Sequence, residues 1–73
     1  MRDSLQTFGG NVRRLRKELG LTQQQLAEAA DLHLTHVSKI ERSICEPGAR
    51  TVAKLARGLR VSAGPLFEDI DGR

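Results

Sequence analysis

The sequence predicts an all-α fold of five helices in one compact domain, on three observations. Apolar residues recur at intervals of three and four, the period of a helix with one face on a core. The core-forming side chains are Leu, Val, Ile and Ala, with 2 Phe and no Trp or Tyr, a set that suits packed helices better than strands. The 73 residues leave room for a single domain, residues 1–73, and a chain this short buries only about 60% of its unfolded surface.

Leu5, Phe8, Val12, Leu15 and Leu19 form the stripe of a first helix from Ser4 to Leu19. Asp3 or Ser4 caps its start, Gly20 supplies a left-handed end, and Gly9-Gly10 weakens its early turns by up to about 1 kcal/mol each. Thr22 and Gln25 have the spacing of a capping box, so a second helix begins there, buries Leu26, Ala27 and Ala30, and stops near Asp31, a residue that tolerates the left-handed conformation. A third helix starts at His33 or Leu34 with Val37 and Ile40 inward. Glu46-Pro47-Gly48 interrupts the chain, because a proline disfavours helix in the residue before it. A fourth helix runs from Ala49 to Leu59 on Val52, Leu55, Ala56 and Leu59. Ser62 caps a short fifth helix ending near Phe67 or Glu68, in which Gly64-Pro65 is the weak point. Residues 68–73 make a short acidic tail.

Lys and Arg number 12 against 9 Asp and Glu, a formal charge of +3. Residues 1–60 hold eleven bases and six acids, whereas residues 61–73 hold one base and three acids. The basic part is therefore the globular part, which fits a polyanionic partner. Cys45 is the only cysteine, so neither an internal disulfide nor a cysteine-based zinc site can form, which points to a reducing cytoplasm. No apolar run approaches the length of a membrane span. No nucleophile triad, metal cluster or phosphate loop is recognisable, so the sequence predicts neither an enzyme nor a cofactor or small-molecule ligand. His33 and His36 are three apart, but no third ligand accompanies them, and DNA contact or solvation accounts for them better than a metal.

Leu21 to Arg42 reads LTQQQLAEAADLHLTHVSKIER, two short helices about a tight turn. This is the pattern of a helix-turn-helix, whose second helix would lie in the major groove of double-stranded DNA. Leu26, Ala30, Leu32, Val37 and Ile40 face inward, which leaves Leu34, Thr35, Ser38 and Lys39 outside.

The wider pattern combines Arg-x-x-x-Gly-Leu-Thr-Gln-x-x-Leu-Ala, Val-Ser-x-Ile-Glu-Arg, and a later helix ending Leu-x-Val-Ser-x-x-x-Leu-Phe. It resembles the lambda-repressor-like family of phage repressors, Cro proteins and their bacterial relatives over about 60 residues. The Leu-His-x-Thr-x-Val-Ser-x-Ile-Glu-Arg segment and the single-domain length also resemble the controller proteins of restriction-modification systems. The resemblance implies a sequence-specific transcriptional regulator.

Residue by residue, the resemblance implies that Gln23 binds a backbone phosphate and that Leu34, Thr35, His36, Ser38 and Lys39 face base edges. Lys39 would donate to guanine N7 or O6, and Leu34 would pack on a thymine methyl or a sugar; the other reading of Leu34 is a helix-start residue touching the core. His33, Arg42, Ser43 and Arg50 would meet phosphates, with solvated surface residues as the alternative. Arg16 and Glu41 would form an ion pair between the first and third helices.

Leu66, Phe67 and Ile70 near the C-terminus suggest a homodimer interface, or else they close the monomer core. One recognition helix contacts few base pairs, so specificity argues for two-fold pairing on a palindromic operator. The alternative from another class is an antitoxin or co-activator-type interaction module built on the same fold.

Overall fold

Val12, Leu26, Val37, Ile40, Leu55, Leu59 and Leu66 come from five separate helical segments, and all are almost wholly removed from solvent. A computed structural model describes residues 8–62 and 64–67. Its elements are α1 (Phe8–Glu18), α2 (Gln23–Ala30), α3 (Leu34–Glu41), α4 (Ala49–Leu59) and a 3₁₀ turn (Gly64–Phe67). α2 packs on α3 and most extensively on α4, while α1 packs on α3 and the 3₁₀ turn. Phe8, Leu15, Leu32, Cys45, Val52 and Val61 seal the edges of the core. Among the described residues no helix is long and apolar enough to cross a membrane.

The helices begin and end by local chemistry. At α2 the capping box is complete: the Gln25 amide N–H donates to Thr22 Oγ1 at 3.0 Å, and the Thr22 N–H donates to Gln25 Oε1 at 2.8 Å. α4 begins at Gly48 with no side-chain cap. All four helices terminate in the same way. Gly20, Asp31, Ser43 and Arg60 each take a positive φ. The next residue's N–H reaches back five positions in each case: Leu21 to Arg16, Leu32 to Ala27, Ile44 to Lys39 and Val61 to Ala56. This double-bonded reversal satisfies carbonyls that a helix end leaves open. Three of the four left-handed residues carry a side chain, a conformation that costs about 1–2 kcal/mol outside Gly.

Two close approaches set the packing distances. A Cβ at Gly9 would collide with the Ile40 carbonyl oxygen, so α1 lies directly on the backbone near the end of α3. A Cβ at Gly58 would lie 3.0 Å from that of Ala30, which brings α4 equally near the end of α2. The Gly9-Gly10 pair thus weakens a helix in isolation and permits its docking in the fold.

Three expectations are corrected. The fifth helix is a 3₁₀ turn of 4 residues, because Pro65 has no N–H to give and Gly64 before it is biased away from helix. α1 ends at Glu18, and Leu19 is 48% exposed rather than buried. Leu19 lines an open depression together with Leu21, Ala29, Gly58 and Arg60. Leu66, read as a dimer residue, lies fully in the core, where the Asn11 side chain donates to its carbonyl at 3.0 Å. The reading of Asp3, Ser4 and Leu5 in the first helix, Ile70 at an interface and the acidic tail 68–73 falls outside the described residues.

Two substitutions should move stability in opposite directions. Gly9→Ala is expected to destabilise by about 1–3 kcal/mol through overpacking against backbone. Arg60→Gly should stabilise by about 1 kcal/mol by relieving the left-handed conformation. Urea unfolding followed by circular dichroism reads both.

Candidate nucleic-acid interface

α3 is positioned by its inward side. Val37 and Ile40 enter the core, and Glu41 is buried beside them. The Glu41 side chain is only 1% exposed, against 10% for that of Arg16. The guanidinium grips it with two bonds, Nε to Oε2 at 2.7 Å and Nη2 to Oε1 at 3.1 Å. Paired donors on a carboxylate constrain orientation as well as distance. Arg16 Nη1 donates to the Leu21 carbonyl at 2.8 Å, and Gln23 Nε2 donates to Glu41 Oε1 at 3.1 Å. One carboxylate therefore ties α1, the start of α2 and the end of α3. On the far side Lys54 Nζ lies 3.3 Å from the Asp31 carbonyl and 3.8 Å from its carboxylate, linking α4 to the turn between α2 and α3.

The opposite side of α3 faces solvent. Thr35, Lys39 and Arg42 follow at four and three residues, so they form one outward stripe with Arg42 just past the helix, and all three are exposed. Leu34 and Ser38 lie alongside, the first 42% exposed and the second half-buried. His36 is half-buried on the other flank. His33 is exposed at the N-cap and its side chain makes no capping bond. Ser43 and Arg50 are exposed around the loop that follows. Of the residues read as DNA-facing, Leu34, Thr35 and Lys39 are the exposed ones within α3, while Ser38 and His36 are half-buried on its two flanks. Leu34 lies outside the cluster of buried and partly buried apolar side chains.

Gln23 departs from its expected role in one respect: an N–H of its amide is committed to Glu41. Gln23 is half-buried at the start of α2, and its amide has a second N–H and a carbonyl oxygen besides that bond. Asn11 and Lys54 were missed as organising residues. The signal for Asn11 is its place three residues after Phe8 and one before Val12, on the apolar stripe. Phe67 is 50% exposed, its ring tilted on that of Phe8 with centroids 5.1 Å apart.

Comparison with known proteins agrees with this geometry. The profile of a family described as helix-turn-helix matches residues 12–66. The chain is 33% identical over 72 residues to control protein C.MunI of a Mycoplasma species, covering 97% of each. It is 41% identical over 59 residues to the immunity repressor protein of Bacillus phage phi105, covering 78% of this chain and 41% of the repressor. The chain thus spans about two fifths of that repressor's length and nearly all of the control protein's. Among solved structures, the restriction-modification controller protein C.AhdI from Aeromonas hydrophila superposes with a TM-score of 0.82 at 33% identity, covering 86% of this chain and 96% of that one. The P22 c2 repressor protein, solved in complex with synthetic operator 9T, superposes with a TM-score of 0.79 at 28% identity, covering 88% and 97%.

Glu41→Ala strands a largely buried guanidinium and should cost about 3–5 kcal/mol. Glu18→Ala removes the exposed Arg14–Glu18 pair, whose side chains are 45% and 60% exposed, and should cost under about 0.5 kcal/mol. Equilibrium denaturation of the two variants side by side measures the contrast.

Proposed function

The chain belongs to the Cro/C1-type helix-turn-helix family of transcriptional regulators, and from that premise we propose that it acts as a homodimer that reads a palindromic operator with α3. The observation that carries this reading is the pairing of a tightly braced inward side of α3 with an outward side of exposed Leu34, Thr35 and Lys39. Lys39 donates to a guanine edge, while Thr35, His36 and Ser38 supply shorter polar contacts. Gln23, His33, Arg42, Ser43 and Arg50 hold phosphates on either side and set the register of the helix in the groove. No chemical step is involved; occupancy of the operator is the regulatory event.

Dimerisation rests on Phe67, a large aromatic ring left half in solvent against Phe8. Two copies related by a two-fold axis would place their α3 helices in successive major grooves, about 34 Å apart. Within the family, a restriction-modification controller is favoured by likeness to two such proteins, C.MunI and C.AhdI, each at 33% identity.

Selection of duplexes from a random pool should return a palindrome, bound more tightly than a scrambled duplex and with affinity falling steeply as salt rises. Lys39→Ala should relax the preference at one base pair per half-site, losing about 1–3 kcal/mol of discrimination there without changing the fold; an unchanged selection profile would remove Lys39 from the reading set. Phe67→Ser should sediment as a monomer at concentrations where the parent chain is a dimer.

A further inference from the structure

Resting on the DNA-reading assignment of α3, we propose that Leu34 recognises the 5-methyl group of a pyrimidine in the major groove, which makes it a residue that determines operator sequence. Leu34 belongs neither to the buried core nor to the partly buried shell packed on it. It is a branched aliphatic side chain, 42% exposed, at the first position of α3. A polar residue at that helix start would keep its side chain hydrated and leave the core unchanged.

Position supplies the rest. Side chains lean toward the N-terminus of their helix, so Leu34 projects past the leading end of α3. That end carries the residues a recognition helix points at bases. The residues of the outward stripe beside it are polar or cationic, Thr35, Lys39 and Arg42, and Ser38 next to it is polar and half-buried. Leucine has neither donor nor acceptor, so against a polar base edge it would leave hydrogen-bonding atoms without water or partner. The single apolar group on a base edge in the major groove is the pyrimidine 5-methyl. Thymine carries it in ordinary DNA and 5-methylcytosine carries it in modified DNA.

The test uses the full chain and a duplex selected from the random pool, with each thymine replaced in turn by uracil. That change keeps base pairing and the hydrogen-bonding edge and removes only the methyl. Fluorescence anisotropy should find one thymine per half-site whose methyl is worth about fourfold in Kd, or about sixteenfold when both half-sites are changed. The Leu34→Ala protein should bind thymine and uracil duplexes equally, and Leu34→Met, which stays apolar, should keep the difference. Because Leu34 is outside the core, both variants should unfold at the parent's denaturant midpoint. Placing cytosine and then 5-methylcytosine at the same position separates the two sources: recovery of affinity with the methylated base assigns recognition to the methyl whichever pyrimidine carries it, and no recovery restricts it to thymine. A uracil series with no effect overturns the proposal, as does a methyl effect that persists undiminished in Leu34→Ala. A pool from which no sequence is selected overturns both this inference and the DNA-reading assignment, which keeps the two failures distinct.

Discussion

The Glu41 carboxylate is the constraint on which the reading half of the molecule depends. A carboxylate this deeply buried loses its water, and only a dense set of donors makes the loss tolerable. Arg16 supplies two of them and Gln23 a third, from two different helices. Because Arg16 also holds the Leu21 carbonyl, the group satisfies its own charges only when α1, the entry to α2 and the exit of α3 stand in one arrangement. Replacing such an ion pair by apolar residues is often neutral for stability. Under the proposed reading its value lies in the uniqueness of that arrangement, because base contacts depend on sub-ångström to ångström placement of the side chains that make them.

That arrangement is reachable only because backbones come close. Gly9 and Arg16 are seven residues apart in α1 and so share a face. Gly9 lets that face lie on the Ile40 carbonyl, next to Glu41, and brings the guanidinium within 2.7 Å of the carboxylate. A side chain at Gly9 would lever the two helices apart at the point where the ion pair needs them together. Gly58 against Ala30 does the corresponding work for α4 and α2. The left-handed residues Asp31, Ser43 and Arg60 are tolerated for a related reason: each reversal closes a bond five residues back, and the helices on either side hold it in place.

Features confined to a few residues were legible in the sequence. The capping box of Thr22 and Gln25 and the turn at Asp31 depend on local partners, so residue type and spacing suffice. The Arg16–Glu41 pair spans 25 residues and was legible only through family resemblance. The Gln23–Glu41, Lys54–Asp31 and Asn11–Leu66 bonds span 18, 23 and 55 residues, and polar side chains leave no periodic trace of such partners. Leu19 and Leu66 were misplaced in opposite senses for one reason. Periodicity identifies the face a residue occupies, but it is silent on whether a large side chain, a glycine or solvent lies opposite. The exposure of Leu34, Thr35 and Lys39 was readable because the inward Val37 and Ile40 fix the rotation of α3.

The distribution of charge along α3 bears on how affinity and discrimination divide. Neither Lys nor Arg occurs from His33 to Ser38, whereas Lys39, Arg42 and Arg50 follow in the last turn and beyond. Cations near a helix C-terminus also complement its dipole, so this placement costs the fold nothing. Under the proposed reading, Arg42 and Arg50 lie where the helix leaves the groove and phosphates are nearest, while Lys39 and the uncharged or apolar side chains of the leading end face the bases. Phosphate contacts carry most of the affinity and little sequence information, and base contacts do the reverse. The two functions then fall on largely separate residues, and of these only Gln23 also belongs to the brace, through its bond to Glu41. Exchange of the leading residues can redirect the operator without loosening the brace that aims them. An apolar residue such as Leu34 can then occupy a reading position because the scaffold makes no demand on it.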